Sequence, residues 1–185
     1  MGWRNTALTY GGVAKGFHWV IAVMVLGLLA AGIYMTSLDP SPEMFKLYAL
    51  HKSAGITVLT LVVLRVLWRI TNPHPESLPN HKNWEKILAR LVHFMLYAAL
   101  FIMPLSGWVM SSAKGFSVSV FGLLTLPDFV ERSDDLAKVA GIIHEIASWV
   151  LIGIVGLHIA GAIKHHIVDR DETLWRMLPS VLKRK

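Results

Sequence analysis

Four times along the chain the charged residues disappear for about 20 positions, and each time a polar or turn-forming stretch restores them. Gly16 to Leu38 holds 23 residues without an Asp, Glu, Lys or Arg, longer than the ~20 that a helix needs to cross a hydrocarbon core of ~30 Å. The second run centres on Ser53 to Leu64, with Arg65 and Arg69 in its last two turns, where long basic side chains can snorkel to an interface. The third is charge-free from Leu91 to Ala113 and contains Pro104 and Gly107, the makings of a kink. The fourth is charge-free from Ile146 to Ile163 and is expected to begin near Val139. The pattern predicts an all-α integral membrane four-helix bundle, one transmembrane domain over 1–185, with spans at about 17–38, 50–70, 88–112 and 140–166.

Between the runs the punctuation is plain. Asp39, Pro40, Ser41 and Pro42 close the first, and no small-residue cleavage site precedes them, so the run reads as a mature helix rather than a signal peptide. Asn72, Pro73, His74, Pro75 and Pro79 mark a loop after the second. Gly115 to Pro127 is mildly apolar and turns acidic at Asp128, Glu131, Asp134 and Asp135; its apolar part is expected to lie in the interface or cap the bundle. No internal repeat or low-complexity tract is visible.

Composition narrows the classes of function. With 54% hydrophobic and 16% charged residues and a mean hydropathy of +0.52, the chain falls outside the soluble range of roughly a quarter charged. Four spans and their connections use nearly all 185 residues, leaving no room for a separate soluble catalytic domain. The absence of Cys excludes disulfides, thiolate zinc, cysteine-ligated iron–sulfur clusters and covalent haem attachment. A net charge of +6 could point to nucleic acid, but the basic residues bracket apolar runs and form no stripe with interleaved aromatics. They read as topology signals: Arg4, Lys15, Arg65, Arg69, Lys82, Lys86, Arg90, Lys164, Arg170, Arg176, Lys183, Arg184 and Lys185 lie on one side, 13 of 18, against Lys46, Lys52, Lys114, Arg132 and Lys138 on the other. The positive-inside rule then puts both termini in the cytoplasm.

The chemistry lies with the histidines. Nine are present, and five, His18, His51, His93, His144 and His158, fall in or at the ends of spans. An ionisable group at that depth is costly unless partnered, and is a functional hypothesis by default. For any one of them a satisfied structural histidine is an equal reading; their arrangement argues more strongly. His144 and His158 are 14 residues apart on one helix, ~21 Å in height and within ~40° of the same face. His18 lies ~28 Å below the external end of the first span and His158 ~27 Å below that of the fourth, so the two can meet across the bundle. His51 and His144 can meet near the external end. Two pairs stacked across a membrane suit two bis-histidine haems, whereas zinc would want three or four ligands at one point.

Other residues carry weaker signals. Gly27, Gly32, Gly55, Gly153, Gly156 and Gly161 leave room for a macrocycle or simply for close helix packing. Lys15, Arg65, Arg69 and Lys164 are placed to meet propionates of an inner haem and Lys52 those of an outer one, with snorkelling as the plainer reading for all but Arg65. His93 could exchange as a ligand, hold a quinone carbonyl or deliver a proton, or make a structural hydrogen bond. Lys52 and His93 are the two weak catalytic candidates. His165 and His166 at the membrane exit, and His74 and His81 in the polar loop, are expected to be solvated.

Taken together these features resemble the bacterial cytochrome b561 family, small four-helix haem proteins of the inner membrane that include a superoxide:quinone oxidoreductase type. The resemblance covers nearly the whole chain. It rests on His18-Trp19 opening helix one, His51 opening helix two with Arg65 and Arg69 at its far end, Phe121-Gly122 and Leu126-Pro127 before helix four, His144 followed by Gly156-Leu157-His158, and His165-His166 with Leu174 to Pro179 in the tail. It implies two non-covalent haems b on His18, His51, His144 and His158, with electrons passing through the membrane between an external donor and a quinone. With both axial positions filled, outer-sphere transfer of single electrons is expected. Superoxide carries over as one donor, although the acidic outer loop would steer an anion poorly. Three hypotheses follow: an oxidoreductase taking electrons from a small external reductant such as superoxide, a haem-bearing anchor for a partner redox protein, and a haem-free helical membrane protein.

Overall fold

The computed structural model describes residues 2–179; Lys183, Arg184 and Lys185, used in the charge count, lie outside the described residues. Four helices long and apolar enough to cross a membrane make up most of it: α1 (Gly12–Thr36), α2 (Pro42–Ile70), α3 (Asn83–Ala113) and α4 (Asp134–Ile167). At 25 to 34 residues all exceed what a bilayer core needs. They outrun the charge-free stretches at the polar ends, because a helix can continue into the interface where its charged residues are hydrated.

Local chemistry sets where they start. Ser41 caps α2, its hydroxyl accepting the Met44 N–H at 3.1 Å, with Pro42 and Glu43 in the first turn, as the orphan N–H groups and the helix dipole favour. Ser133 caps α4 in the same way through the Leu136 N–H at 3.3 Å, followed by Asp134 and Asp135. Glu85 reaches back to the Lys82 N–H at 2.8 Å at the head of α3. Before α1, Gly11 donates its N–H to the buried Asn5 side chain at 2.9 Å, and a Cβ on Gly11 would collide with the Trp3 carbonyl.

α3 packs most extensively on α4, α1 on α2, and α2 on α3. At mid-height Ile21, Val25, Val58, Val62, Ala99, Leu100 and Leu151 close a core, with Val62 fully buried. The remaining faces carry exposed Val, Leu, Ile, Phe and Trp side chains, which is the composition a lipid-facing surface takes. By contrast α1 and α4, and α2 and α4, make little or no backbone contact of their own. The bundle is open between them.

The segment before α4 forms a small hairpin, β1 (Ser119–Val120) with β2 (Leu124–Thr125). Its turn has Phe121 and Gly122 at φ of 51° and 73°, closed by the Leu123 N–H to the Val120 carbonyl at 3.0 Å, the twist that hairpins favour. Ser53 of α2 holds it: its hydroxyl accepts the Phe121 N–H at 3.0 Å and lies 2.9 Å from the Ser119 carbonyl. The apolar part of this loop thus caps one end of the bundle. At the opposite end a short helix, α5 (Thr173–Met177), folds the tail back. There Trp19 donates to the Met177 carbonyl at 3.0 Å and the buried Lys15 to the Leu178 carbonyl at 3.1 Å.

Candidate functional site

The two openings are where the histidines stand. His51 of α2 and His144 of α4 face each other near the hairpin end, with ring centroids 6.4 Å apart and ring planes at 72°. His18 of α1 and His158 of α4 do so near the tail end, at 6.0 Å and 69°. Both pairs therefore bridge helices whose backbones stand apart. One metal ion bound at ~2 Å by a nitrogen of each ring would hold the two centroids ~6 Å apart, so both separations suit a shared ion.

The pair at the hairpin end is braced from α3. His144 places Nδ1 2.9 Å from the Met103 carbonyl and 3.1 Å from Ser106 Oγ. A carbonyl can only accept, so this bond keeps the proton on Nδ1 and leaves Nε2 as a lone-pair donor, the arrangement typical of a ligating imidazole. Gly107 supplies the room, since a Cβ there would lie 3.1 Å from His144 Cε1. Across the gap His51 Nδ1 is buried without a hydrogen-bond partner, an atom whose environment is incomplete in the protein alone. These features fit a haem held between His51 and His144. Lys52, the next residue along, donates its ammonium to Ser111 Oγ at 3.1 Å and lies 3.5 Å from the Ser117 carbonyl. Asp128 accepts from the Ser117 hydroxyl at 2.5 Å, which holds its carboxyl below the usual range.

The tail-end pair is more crowded with charge. Arg65 sets its guanidinium 3.3 Å from His18 Nδ1 and over the Tyr97 ring at 5.6 Å, and Arg69 covers Tyr97 at 5.8 Å. His93 of α3 joins this site rather than standing apart, its ring 5.3 Å from that of His158. Three histidines and two arginines thus gather at one level. Lys164, another residue read as placed for a propionate, is instead engaged by the carboxylates of Glu85 and Asp169.

One expectation is corrected. His81 and His165 are not solvated: each side chain is only 15% exposed, and both point at one carboxylate oxygen of Asp171. The sequence hid this because the three residues are separated by up to 90 positions and come from a loop, a helix end and a turn. His166 packs edge-on against Trp175 at 5.6 Å, while His74 is exposed as expected. Gly107 was legible only as a flexible point in α3, not as the space beside His144.

Residues 9–180 match the family described as Prokaryotic cytochrome b561. The chain belongs to that family. It is similar to cytochrome b561 homolog 2 of Escherichia coli strain K12, 37% identical over 179 residues that cover 96% of this chain and 95% of the relative. It is also 28% identical over 170 residues to the probable superoxide oxidase CybB of Yersinia pestis, covering 92% and 96%. A third relative, cytochrome b561 homolog 1 of Escherichia coli strain K12, is 29% identical over 166 residues, covering 88% and 92%. As a prokaryotic cytochrome b561, this is a bacterial multi-pass membrane protein of a haem b family that works in electron transfer.

Proposed function

We propose that this cytochrome b561 carries two haems b, one between His51 and His144 and one between His18 and His158, and passes single electrons across the inner membrane to or from a quinone. The observation that carries the reading is the pair of histidine bridges, 6.4 Å and 6.0 Å between ring centroids, across the two helix interfaces that lack backbone packing. Bound haem supplies reversible one-electron redox chemistry. The protein does the rest: Met103 and Ser106 fix the His144 tautomer, apolar side chains at mid-height keep water out, and Arg65 brings positive charge to the tail-end site. His93 offers a proton carrier beside that site for a quinone, which needs two protons for two electrons. Both termini lie in the cytoplasm in this reading, by the distribution of Lys and Arg, so the hairpin end faces outward.

For the external donor we take superoxide, since Lys52 puts a cation one residue from a haem ligand and a 28%-identical relative is a probable superoxide oxidase. A second reading, a haem-bearing anchor for a partner redox protein, is favoured by exposed Asp128, Glu131, Asp134 and Asp135 at the same end, a surface suited to a basic partner. A reduced-minus-oxidised spectrum with a pyridine haemochrome assay tests the core of the proposal. Two low-spin haems b per chain are expected, His144→Ala and His158→Ala each losing one. One haem per wild-type chain, or none, overturns it. Quinone reduction driven by superoxide with the isolated protein separates the donor readings.

A further inference from the structure

A polar cluster lies beyond the tail end of α4, apart from the two histidine bridges. His81 comes from the α2–α3 loop, His165 from the last turn of α4, and Asp171 from the turn that leads into α5. His81 Nε2 lies 3.0 Å and His165 Nδ1 2.8 Å from the same oxygen, Asp171 Oδ2, and the three ligating atoms fall within 4.8 Å of one another. The other carboxylate oxygen is already fixed, accepting the Thr173 N–H at 2.8 Å. The side chains are 11–15% exposed, so each is shielded on most sides yet reachable from water.

We propose that His81, His165 and Asp171 form a binding site for a divalent transition-metal ion, Zn2+ in the first instance. Two imidazoles and one carboxylate are ligands that suit Zn2+ over Mg2+ or Ca2+, which want oxygen. The geometry is close to what the ion needs: ligand atoms around a tetrahedral Zn2+ with ~2 Å bonds are ~3.3 Å apart, a few tenths of an ångström beyond the present hydrogen bonds. On binding, the proton that each ring shares with Asp171 passes to water or moves to that ring's other nitrogen, so each imidazole stays neutral and offers its freed lone pair to the ion alongside Asp171 Oδ2, leaving a fourth position for water. The Thr173 N–H on Oδ1 stays in place as the group that orients the carboxylate. Because the three ligands come from three segments, the ion would lock the α2–α3 loop and the tail onto the end of α4. It joins contacts already there, such as Arg176 Nη1 to the Glu76 carbonyl at 2.7 Å.

The test uses the full chain without a histidine tag, haem-loaded in detergent and stripped with chelator, titrated with Zn2+ by calorimetry and assayed for zinc after gel filtration. One Zn2+ per chain is expected, with micromolar or tighter affinity. His81→Ala and Asp171→Asn should each weaken it at least about tenfold without altering the haem spectrum, which reports folding. His166→Ala, next to the cluster but outside it, should bind as the wild type does. Wild-type protein that takes up no stoichiometric Zn2+ overturns the proposal. So does binding that persists in both cluster variants, or that falls equally in His166→Ala. If one cluster variant loses haem, the other and the milder His81→Asn carry the comparison.

Discussion

Gly107 and His144 are in contact across the α3–α4 interface, so close that a Cβ on Gly107 would stand 3.1 Å from Cε1 and 3.3 Å from Nδ1 of the imidazole. The same ring is tied to the Met103 carbonyl, 2.9 Å away, and cannot swing aside without breaking that bond. Space and orientation at this histidine are therefore set by one short stretch of α3, Met103 to Gly107.

Replacing Gly107 by Ala should push the ring by a few tenths of an ångström and weaken retention of the hairpin-end haem, and Gly107→Val should abolish it. Haem per chain is expected to fall towards half in the valine variant while the tail-end signal persists. An unchanged spectrum in Gly107→Val would show that His144 is not held as described.

Arg65 places a half-buried positive charge beside His18, its guanidinium 3.3 Å from Nδ1. A fixed cation there favours the reduced, less positive state of a redox centre between His18 and His158. Arg65→Gln should thus lower the midpoint potential of the tail-end centre by tens of millivolts, ~59 mV for each tenfold change in a one-electron equilibrium. The hairpin-end centre should move far less. Potentiometric titration followed by visible absorption resolves the two.

Ser53 holds β1 and the turn of the hairpin from within α2, and it is 2% exposed. Ser53→Ala leaves the Phe121 N–H without its acceptor, a loss of ~1–3 kcal/mol for a buried donor. Proteolysis within 115–133 should speed up, and the thermal midpoint should fall by a few degrees, with haem content retained.

Asp171 gives a pH dependence with a definite sign. Burial alone would raise its pKa, but hydrogen bonds from Thr173, His165 and His81 outweigh this and hold it well below the ordinary 3.8. A depressed carboxylate stabilises the fold at pH values above its unfolded pKa and loses that contribution as pH falls through the folded one. Hydrogen exchange in α5 should therefore be slower in the wild type than in Asp171→Asn by a constant factor from pH 8 to about pH 5. The difference should narrow only below 3.8. A gap that closes between pH 8 and 5 would mean that another group controls the tail.

How much of this was legible depends on the range of the interactions. The four helices were readable because a charge-free run longer than a bilayer is thick has few other fates, whereas the caps at Ser41 and Ser133 emerged only with the structure. The facing of His144 and His158 followed from counting turns on one helix. Their approach to His51 and His18 followed from depth, because a membrane holds helices to a common vertical scale. His93 was placed at the right depth but not at the His158 ring, since rotation about the α3 axis is decided by packing. The His81–His165–Asp171 cluster was misread as solvated because nothing local marks a loop histidine that a folded-back tail will cover.

The sequence by itself determined the number of membrane helices, the depth of each histidine and the family, all consequences of hydrophobic run length and of residue order along single helices. Only the tertiary structure decided that His93 joins the His158 ring, that α4 stands apart from α1 and α2 to leave two openings, and that the tail closes one end. These depend on helix rotation and on contacts between segments far apart in the chain, where side-chain shape and hydrogen-bond partners choose among arrangements that the hydrophobic pattern leaves equal.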